Sequence, residues 1–165
     1  MINEGQLRKL KDFSAKLCLA GRFDESVKNS QAAIDMLDAD NSFPEKNKAA
    51  WTSAFLSLIA GTHLANKNPS LAEEFFQKAL DIQAALPKSA NLAYAIDNLA
   101  KAQELSGNIL ASLQNRLAAL EILKEFSPQS AGLLSAKYSK IADDYDAIGH
   151  TKEADDIRKY LPRES

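Results

Sequence analysis

The sequence predicts an all-α chain in which about eight helices pair into about four antiparallel hairpins. Six glycines and five prolines in 165 residues are sparse, and most of them fall at the ends of helical stretches or between them. The residues between them are mostly Ala, Leu, Lys, Glu, Asp and Gln, which favour helix over strand. No stretch of Val, Ile and Thr alternates with polar residues over the length of a strand.

Start and stop signals place each helix in turn. Asn68 and Ser127 each put a capping side chain before a proline at the first helical position. Ser42 and Glu45 have the spacing of a capping box. The stop signals are Gly21, Pro87, Gly107, Gly149 and Pro162. The predicted helices cover residues 3–20, 23–38, 44–66, 69–85, 89–106, 108–126, 128–148 and 151–161.

A longer period links the hairpins. The turns inside them begin at Gly21, Lys67, Gly107 and Gly149, which are 40 to 46 residues apart. A small residue lies five positions after each of these and another lies seven before it, and small residues let paired helices approach closely. Each hairpin leaves an apolar face that only the next can cover, which predicts a right-handed α-solenoid. The predicted repeats are 3–38, 44–85, 89–126 and 128–161, in one domain over 1–165.

These features resemble the tetratricopeptide repeat (TPR). Residues 71–82, LAEEFFQKALDI, are the best match to its second helix. The length of the repeats, greater than the usual length of about 34 residues, is similar to the kinesin-light-chain type. Lys67 stands in place of one turn glycine, and Ser26 and Ser112 stand in place of a helix alanine. The resemblance implies a scaffold that binds other proteins.

The resemblance also implies a concave groove along the first helix of each hairpin. The residues predicted to line it are Arg8, Lys11, Ala15, Cys18, Ala54, Ser57, Gly61, Leu64, Tyr94, Asp97, Lys101, Glu104, Ala136, Ser139, Asp143 and Asp146. This groove is expected to be basic at one end, small and apolar near Gly61, and acidic at the other end. Tyr94 is the aromatic side chain expected to contact a partner. The alternative is that these residues are only the solvated or packed faces of their helices.

Composition and spacing argue against several kinds of chemistry. A net charge of −2 and a pI near 5.7 disfavour nucleic acid as a partner. Cys18 is the only cysteine, and neither His63 nor His150 has a second ligand at metal-binding spacing. His63 is expected to pack in the core, and Cys18 to be buried or to line the groove. The aspartates between 143 and 156 lack the spacing of a calcium loop, so no metal or cofactor is expected.

The sequence therefore predicts a cytoplasmic adaptor, not an enzyme, that binds a peptide or helix of another protein. The N-terminus does not resemble a signal peptide, and no apolar run is long enough to insert into a membrane. The second hypothesis is a self-associating structural subunit or a regulatory domain of a larger assembly. This hypothesis is based on the last helix, whose sequence is suited to cap a stack of hairpins. A ligand-sensing or enzymatic protein is the third hypothesis.

Overall fold

The computed structural model describes residues 2–126, 131–159 and 161, and these contain eight α-helices and no strand. The helices are α1 (Glu4–Leu19), α2 (Phe23–Ala39), α3 (Glu45–Ala65), α4 (Pro69–Ala84), α5 (Ala90–Leu105), α6 (Ile109–Phe126), α7 (Ala131–Ala147) and α8 (Thr151–Arg158). From α1 to α6 both ends lie within one residue of the prediction. Helix α8 ends earlier than predicted. Ser127 and Pro128, predicted to start α7, lie outside the described residues, as do Tyr160 and Pro162.

The chain divides into two compact units, Met1–Lys88 and Ser89–Ser165. The first unit contains α1 to α4 and the second contains α5 to α8. Within each unit consecutive helices pack as pairs, α1 with α2, α3 with α4, α5 with α6 and α7 with α8. The predicted all-α hairpin architecture is confirmed.

All four hairpin turns place one residue in the left-handed region of backbone space. The φ angles are 73° at Gly21, 57° at Lys67, 90° at Gly107 and 82° at Gly149. The amide of the next residue donates to a carbonyl five residues back, as from Arg22 N to Leu17 O at 2.9 Å. This pattern is a Schellman motif, which satisfies carbonyls at the end of a helix. Lys67 is therefore the structural equivalent of the three glycines.

The core of the first unit joins α1, α2 and α3. Its buried cluster contains Ile2, Leu7, Ala33, Ile34, Leu37, Phe43, Phe55 and Ile59. Trp51 is partly buried against this cluster, and its ring centroid lies 6.1 Å from that of Phe55.

Hydroxyl groups connect α1, α2 and α3 at positions where the repeat requires small residues. The Ser26 hydroxyl donates to the Ser14 carbonyl at 2.9 Å and lies 3.0 Å from the Thr62 hydroxyl. The Ser14 hydroxyl accepts from Ser30 at 2.9 Å and from the Asn29 amide at 2.7 Å. These hydrogen bonds satisfy polar groups that would otherwise be costly to bury.

The core of the second unit joins α6, α7 and α8. Its buried cluster contains Leu113, Leu120, Tyr138, Ile141, Ala142, Tyr145, Ala154 and Ile157. Two members, Ala154 and Ile157, are on α8 and are buried. Ser112 on α6 is also buried, but its hydroxyl has no hydrogen-bond partner within the part of the chain that the structure describes.

The predicted capping box of Ser42 and Glu45 is wrong. The N-cap of α3 is Pro44, and no side chain caps this helix. Ser42 instead donates to Asp40 Oδ1, from its amide at 2.9 Å and from its hydroxyl at 2.5 Å. The Ile2 amide donates to Asp40 Oδ2 at 2.7 Å. These hydrogen bonds lower the pKa of Asp40 to about 2 because they favour its charged form. The bond from the Ser42 hydroxyl has the largest effect.

Side chains do cap two other helices. At α1, Asn3 Oδ1 accepts from the Gln6 amide and Gln6 Oε1 accepts from the Asn3 amide, both at 3.0 Å. This capping box was not predicted from the sequence. At α4 the predicted cap is confirmed, since Asn68 Oδ1 accepts from the Leu71 amide at 3.4 Å and Pro69 is the first helical residue.

Candidate partner-binding cleft

A cleft of about 500 Å³ lies between α5 and α7 in the second unit. Its floor comes from α6 and from Ile141 of α7. The lining residues are Tyr94, Asp97, Arg116, Ala119, Leu120, Leu123, Ala136, Lys137, Lys140, Ile141 and Asp144. We refer to this feature as the α5–α7 cleft.

Helical spacing explains how these residues meet. Tyr94 and Asp97 are three apart, so they lie on one face of α5. On α7, Lys137, Lys140 and Asp144 are three and four apart and form one flank of that helix. The cleft is therefore made from facing flanks of two helices, with the side chains of α6 between them.

The α5–α7 cleft has an apolar floor and a charged rim. Leu120 and Ile141 on the floor are almost fully buried by the core, so their positions are set by packing. Tyr94 on the rim is 54% exposed, which leaves about half of the residue's surface available for contact. Arg116 pairs with Glu104, and Lys140 Nζ lies 3.0 Å from Asp144 Oδ2. Such a surface offers apolar contact area in the middle and polar contacts at the edges, as protein-binding sites commonly do.

Of the residues predicted in the third repeat, the structure brings two into this cleft directly. Tyr94 and Asp97 line it, and Glu104 is linked to it through its ion pair with Arg116. Lys101 is exposed on the same helix.

Of the residues predicted in the fourth repeat, Ala136 lines the α5–α7 cleft and the other three lie elsewhere on α7. Asp143 and Asp146 face α8, where Arg158 Nη2 pairs with Asp143 Oδ1 at 2.8 Å and with Asp146 Oδ2 at 2.7 Å. Ser139, four residues before Asp143, lies on this same flank. The two carboxylates expected to make the groove acidic therefore have a counterion within the unit.

The residues predicted in the first two repeats lie on α1 and α3, which contact each other. Arg8 and Lys11 are exposed, and Arg8 pairs with Glu4 at 3.5 Å. The remaining six are half-buried: Ala15, Cys18, Ala54, Ser57, Gly61 and Leu64. A Cβ added at Gly61 would meet no atom within 4 Å, so the space above this glycine is open.

His63 packs between α3 and α4. Its ring is stacked on that of Phe75, with centroids 5.4 Å apart, and Lys78 Nζ lies 4.8 Å from the Phe75 centroid. Burial lowers the pKa of His63, and the negative charge of Asp24 opposes part of that shift. His63 is a packing residue, as predicted.

Sequence reasoning missed the residues that complete the α5–α7 cleft. These are Arg116, Ala119, Leu120 and Leu123 on α6, and Lys137, Lys140, Ile141 and Asp144 on α7. The available signal was the three-and-four spacing of charged residues on α7. This spacing identifies the flank of α7 that faces the preceding hairpin. The prediction did not use it, because it took the same helix face in every repeat.

Comparisons with known proteins find similarity in the fold but not in the sequence. No protein family and no curated protein matches the sequence. Solved structures do match. A kinesin light chain of Podosopora anserina with nearly identical TPR-like repeats superimposes with a TM-score of 0.71 at 17% identity, over 98% of this chain and 75% of that one. A variant of the same protein gives a TM-score of 0.72. BtubC (BKLC) from P. vanneervenii gives 0.68 at 17% identity, over 96% and 68% of the two chains.

The chain has a TPR-like repeat fold. In TPR-like terms, α1, α3, α5 and α7 are the first helices of the four hairpins and the α5–α7 cleft lies between two of them. Among the described residues no group of three His, Cys, Asp or Glu side chains is arranged to hold a metal ion. Nor does any helix in those residues have the length and apolar content to cross a membrane.

Proposed function

We propose that this chain is a non-catalytic, cytoplasmic adaptor that binds a peptide or helix of another protein in the α5–α7 cleft. The observation that carries the proposal is the combination of an apolar floor with an exposed aromatic residue at its rim. Clefts of several hundred Å³ with mostly apolar linings and a few polar groups are the usual form of binding sites. The TPR-like fold supports a protein as the partner.

The lining predicts the kind of segment that binds. Leu120, Leu123 and Ile141 favour a bulky apolar side chain, because burying one contributes about 1.5–3 kcal/mol. Tyr94 can cover such a side chain from the rim. Lys137 is exposed at the same rim and favours an acidic residue beside the apolar one. Aromatic and charged residues around a buried centre are typical of binding hot spots.

The residues predicted in the first two repeats form a second proposed contact surface, within the first unit. Arg8 and Lys11 supply positive charge on α1, and Cys18, Ser57, Gly61 and Leu64 supply a small and weakly polar surface on α1 and α3. The open space above Gly61 permits a partner side chain to approach the helix backbone.

Site-specific photocrosslinking tests the proposal. A photoreactive phenylalanine replaces Tyr94 in one variant and Gln77, exposed on α4, in a control variant. In cells that produce the chain natively, we expect one protein to crosslink from position 94 and not from position 77. Adding Lys137→Glu should reduce that product. Equal crosslinking from both positions, or none from position 94, would exclude the cleft as the binding site.

Self-association is the second candidate function. The observation that favours it is the exposure of large apolar side chains, with Leu19 88% exposed and Leu105 60% exposed. Exposed apolar surface often marks an interface. Light scattering over a wide concentration range tests it. A chain that dimerises, and that becomes monomeric on Leu19→Ser or Leu105→Ser, would support this function over the first.

A further inference from the structure

The second unit has a further groove, of about 480 Å³, on the other flank of α7. It lies between α6 and α8, and we refer to it as the α6–α8 groove. Tyr138 and Tyr145 are seven residues apart and present the same face of α7 to this groove. Lys140 and Asp144 on the opposite flank line the α5–α7 cleft. Helix α7 therefore separates two grooves.

The floor of the α6–α8 groove is apolar and held in place by the core. Tyr138, Tyr145 and Ile157 are buried members of the hydrophobic cluster of the second unit, and Leu117 packs against that cluster. The Tyr138 hydroxyl donates to Glu121, and Lys124 Nζ lies 5.5 Å from the centroid of the Tyr138 ring. The groove is thus preformed, which reduces the entropy cost of binding.

The walls of the α6–α8 groove are mainly acidic. Glu121 lies on the α6 wall, and Glu153 and Asp156 lie three residues apart on the α8 wall. Lys124 is the one basic residue in this lining. The lining of the α5–α7 cleft has the opposite balance, with three basic residues and two acidic ones. The two grooves therefore favour ligands of opposite charge.

We propose that the α6–α8 groove binds a basic amphipathic segment of another protein. Its apolar residues would lie over Tyr138 and Tyr145, and its lysines or arginines would face Glu121 on one wall and Asp156 on the other. The present partner of Asp156 is Lys159, at 2.6 Å, in a pair whose side chains are 54% and 72% exposed. Glu121 is likewise paired, with Lys124 at 3.3 Å, and the side chains of that pair are 55% and 43% exposed. Exposed pairs of this kind are weak, so ligand cations can replace Lys159 and Lys124 at little cost. This inference does not depend on the function proposed for the α5–α7 cleft.

The probe is a fluorescein-labelled peptide with leucines at helical positions i, i+3, i+4 and i+7 and lysines on both sides of that stripe. A matched peptide carries glutamates in place of the lysines. Fluorescence anisotropy at low salt measures the affinity of each for the full chain. We expect the lysine peptide to bind and the glutamate peptide to bind at least about tenfold more weakly, since like charges oppose binding.

Two variants with the same change in net charge locate the site. Asp156 lines the groove, whereas its neighbour Asp155 pairs with Arg158 and is absent from the lining. We expect Asp156→Lys to raise the Kd of the lysine peptide about tenfold and Asp155→Lys to change it less than about twofold. Circular dichroism confirms that both variants fold.

Three results would overturn the proposal. Equal weakening by Asp155→Lys and Asp156→Lys would show an effect of net charge alone. A dimer of the unmodified chain that Asp156→Lys dissociates would assign the groove to a second copy. A gain in peptide affinity on removal of residues 162–165 would assign it to the chain's own end. Lys137→Glu, in the α5–α7 cleft, should leave binding of the lysine peptide no weaker, so this test is independent of the proposed function.

Discussion

The hydroxyl of Ser26 on α2 lies 3.0 Å from the hydroxyl of Thr62 on α3, and both side chains are fully buried. Ser26 also donates to the carbonyl of Ser14 on α1. One side chain therefore connects three helices of the first unit. It does so at a position where the repeat pattern requires only a small residue.

Replacing Ser26 with alanine should destabilise the protein. The substitution removes both contacts and leaves the Ser14 carbonyl without this donor, which costs about 1–2 kcal/mol. Urea unfolding at neutral pH measures the change in the free energy of unfolding. A Ser26→Ala variant as stable as the unmodified chain would show that these hydrogen bonds contribute nothing net.

Ser112 occupies the equivalent position in the second unit, and the same substitution there should have the opposite sign. Its hydroxyl is buried and has no partner among the residues described. Removing an unsatisfied buried hydroxyl should stabilise the protein by about 1 kcal/mol. Ser112→Ala is thus the matched control for Ser26→Ala in the same urea experiment. Destabilisation by both would mean that Ser112 has a hydrogen-bond partner in solution.

The turn residues provide a second matched pair. Gly107 and Lys67 both have positive φ, at 90° and 57°. A Cβ at Gly107 would meet no atom within 4 Å, so Gly107→Ala costs only the backbone strain, about 1–2 kcal/mol. Lys67→Ala should change stability little, because lysine already carries a Cβ. Thermal unfolding measures the stability of both variants. An equal loss of stability in Gly107→Ala and Lys67→Ala would contradict the shared turn geometry.

Acid should weaken the protein through His63. Burial lowers its pKa in the folded state, so the unfolded chain takes up a proton at higher pH than the folded chain does. The contribution of neutral His63 is therefore complete above pH about 6.5 and is lost as pH falls through its folded-state pKa. We expect His63→Gln to flatten the fall in unfolding free energy between pH 7.5 and 5.5. The same slope in both proteins would rule out His63 as the cause.

Most of the fold follows from local features of the sequence. Positive φ favours glycine, so Gly21, Gly107 and Gly149 marked three turns, and the spacing between them located Lys67 as the fourth. Asn68 marked a helix start for a similarly local reason. Hydrogen bonds between helices are not local. The sequence therefore offered no means of telling that Ser26 would have partners and Ser112 would not.

The candidate site was less predictable, because a cleft between helices needs the correct flank of each. A single helix face applied to every repeat located Tyr94, Asp97 and Ala136 on the α5–α7 cleft. On α7 it selected Asp143 and Asp146, on the flank where Arg158 pairs with them. The opposite flank faces α5, and only the packing of α7 against α6 and α8 decides which flank faces which neighbour.

The central claim is that the α5–α7 cleft binds a segment of a partner protein, with Tyr94 as its main exposed contact. Isothermal titration calorimetry with the segment identified by crosslinking tests it most directly. The control is Phe126→Ala, since Phe126 is 43% exposed on α6 and does not line the cleft. We predict that Tyr94→Ala raises the Kd at least about tenfold, as truncation of a hot-spot aromatic does, and that Phe126→Ala changes it less than about twofold. Equal affinities for the unmodified chain and Tyr94→Ala would contradict the claim.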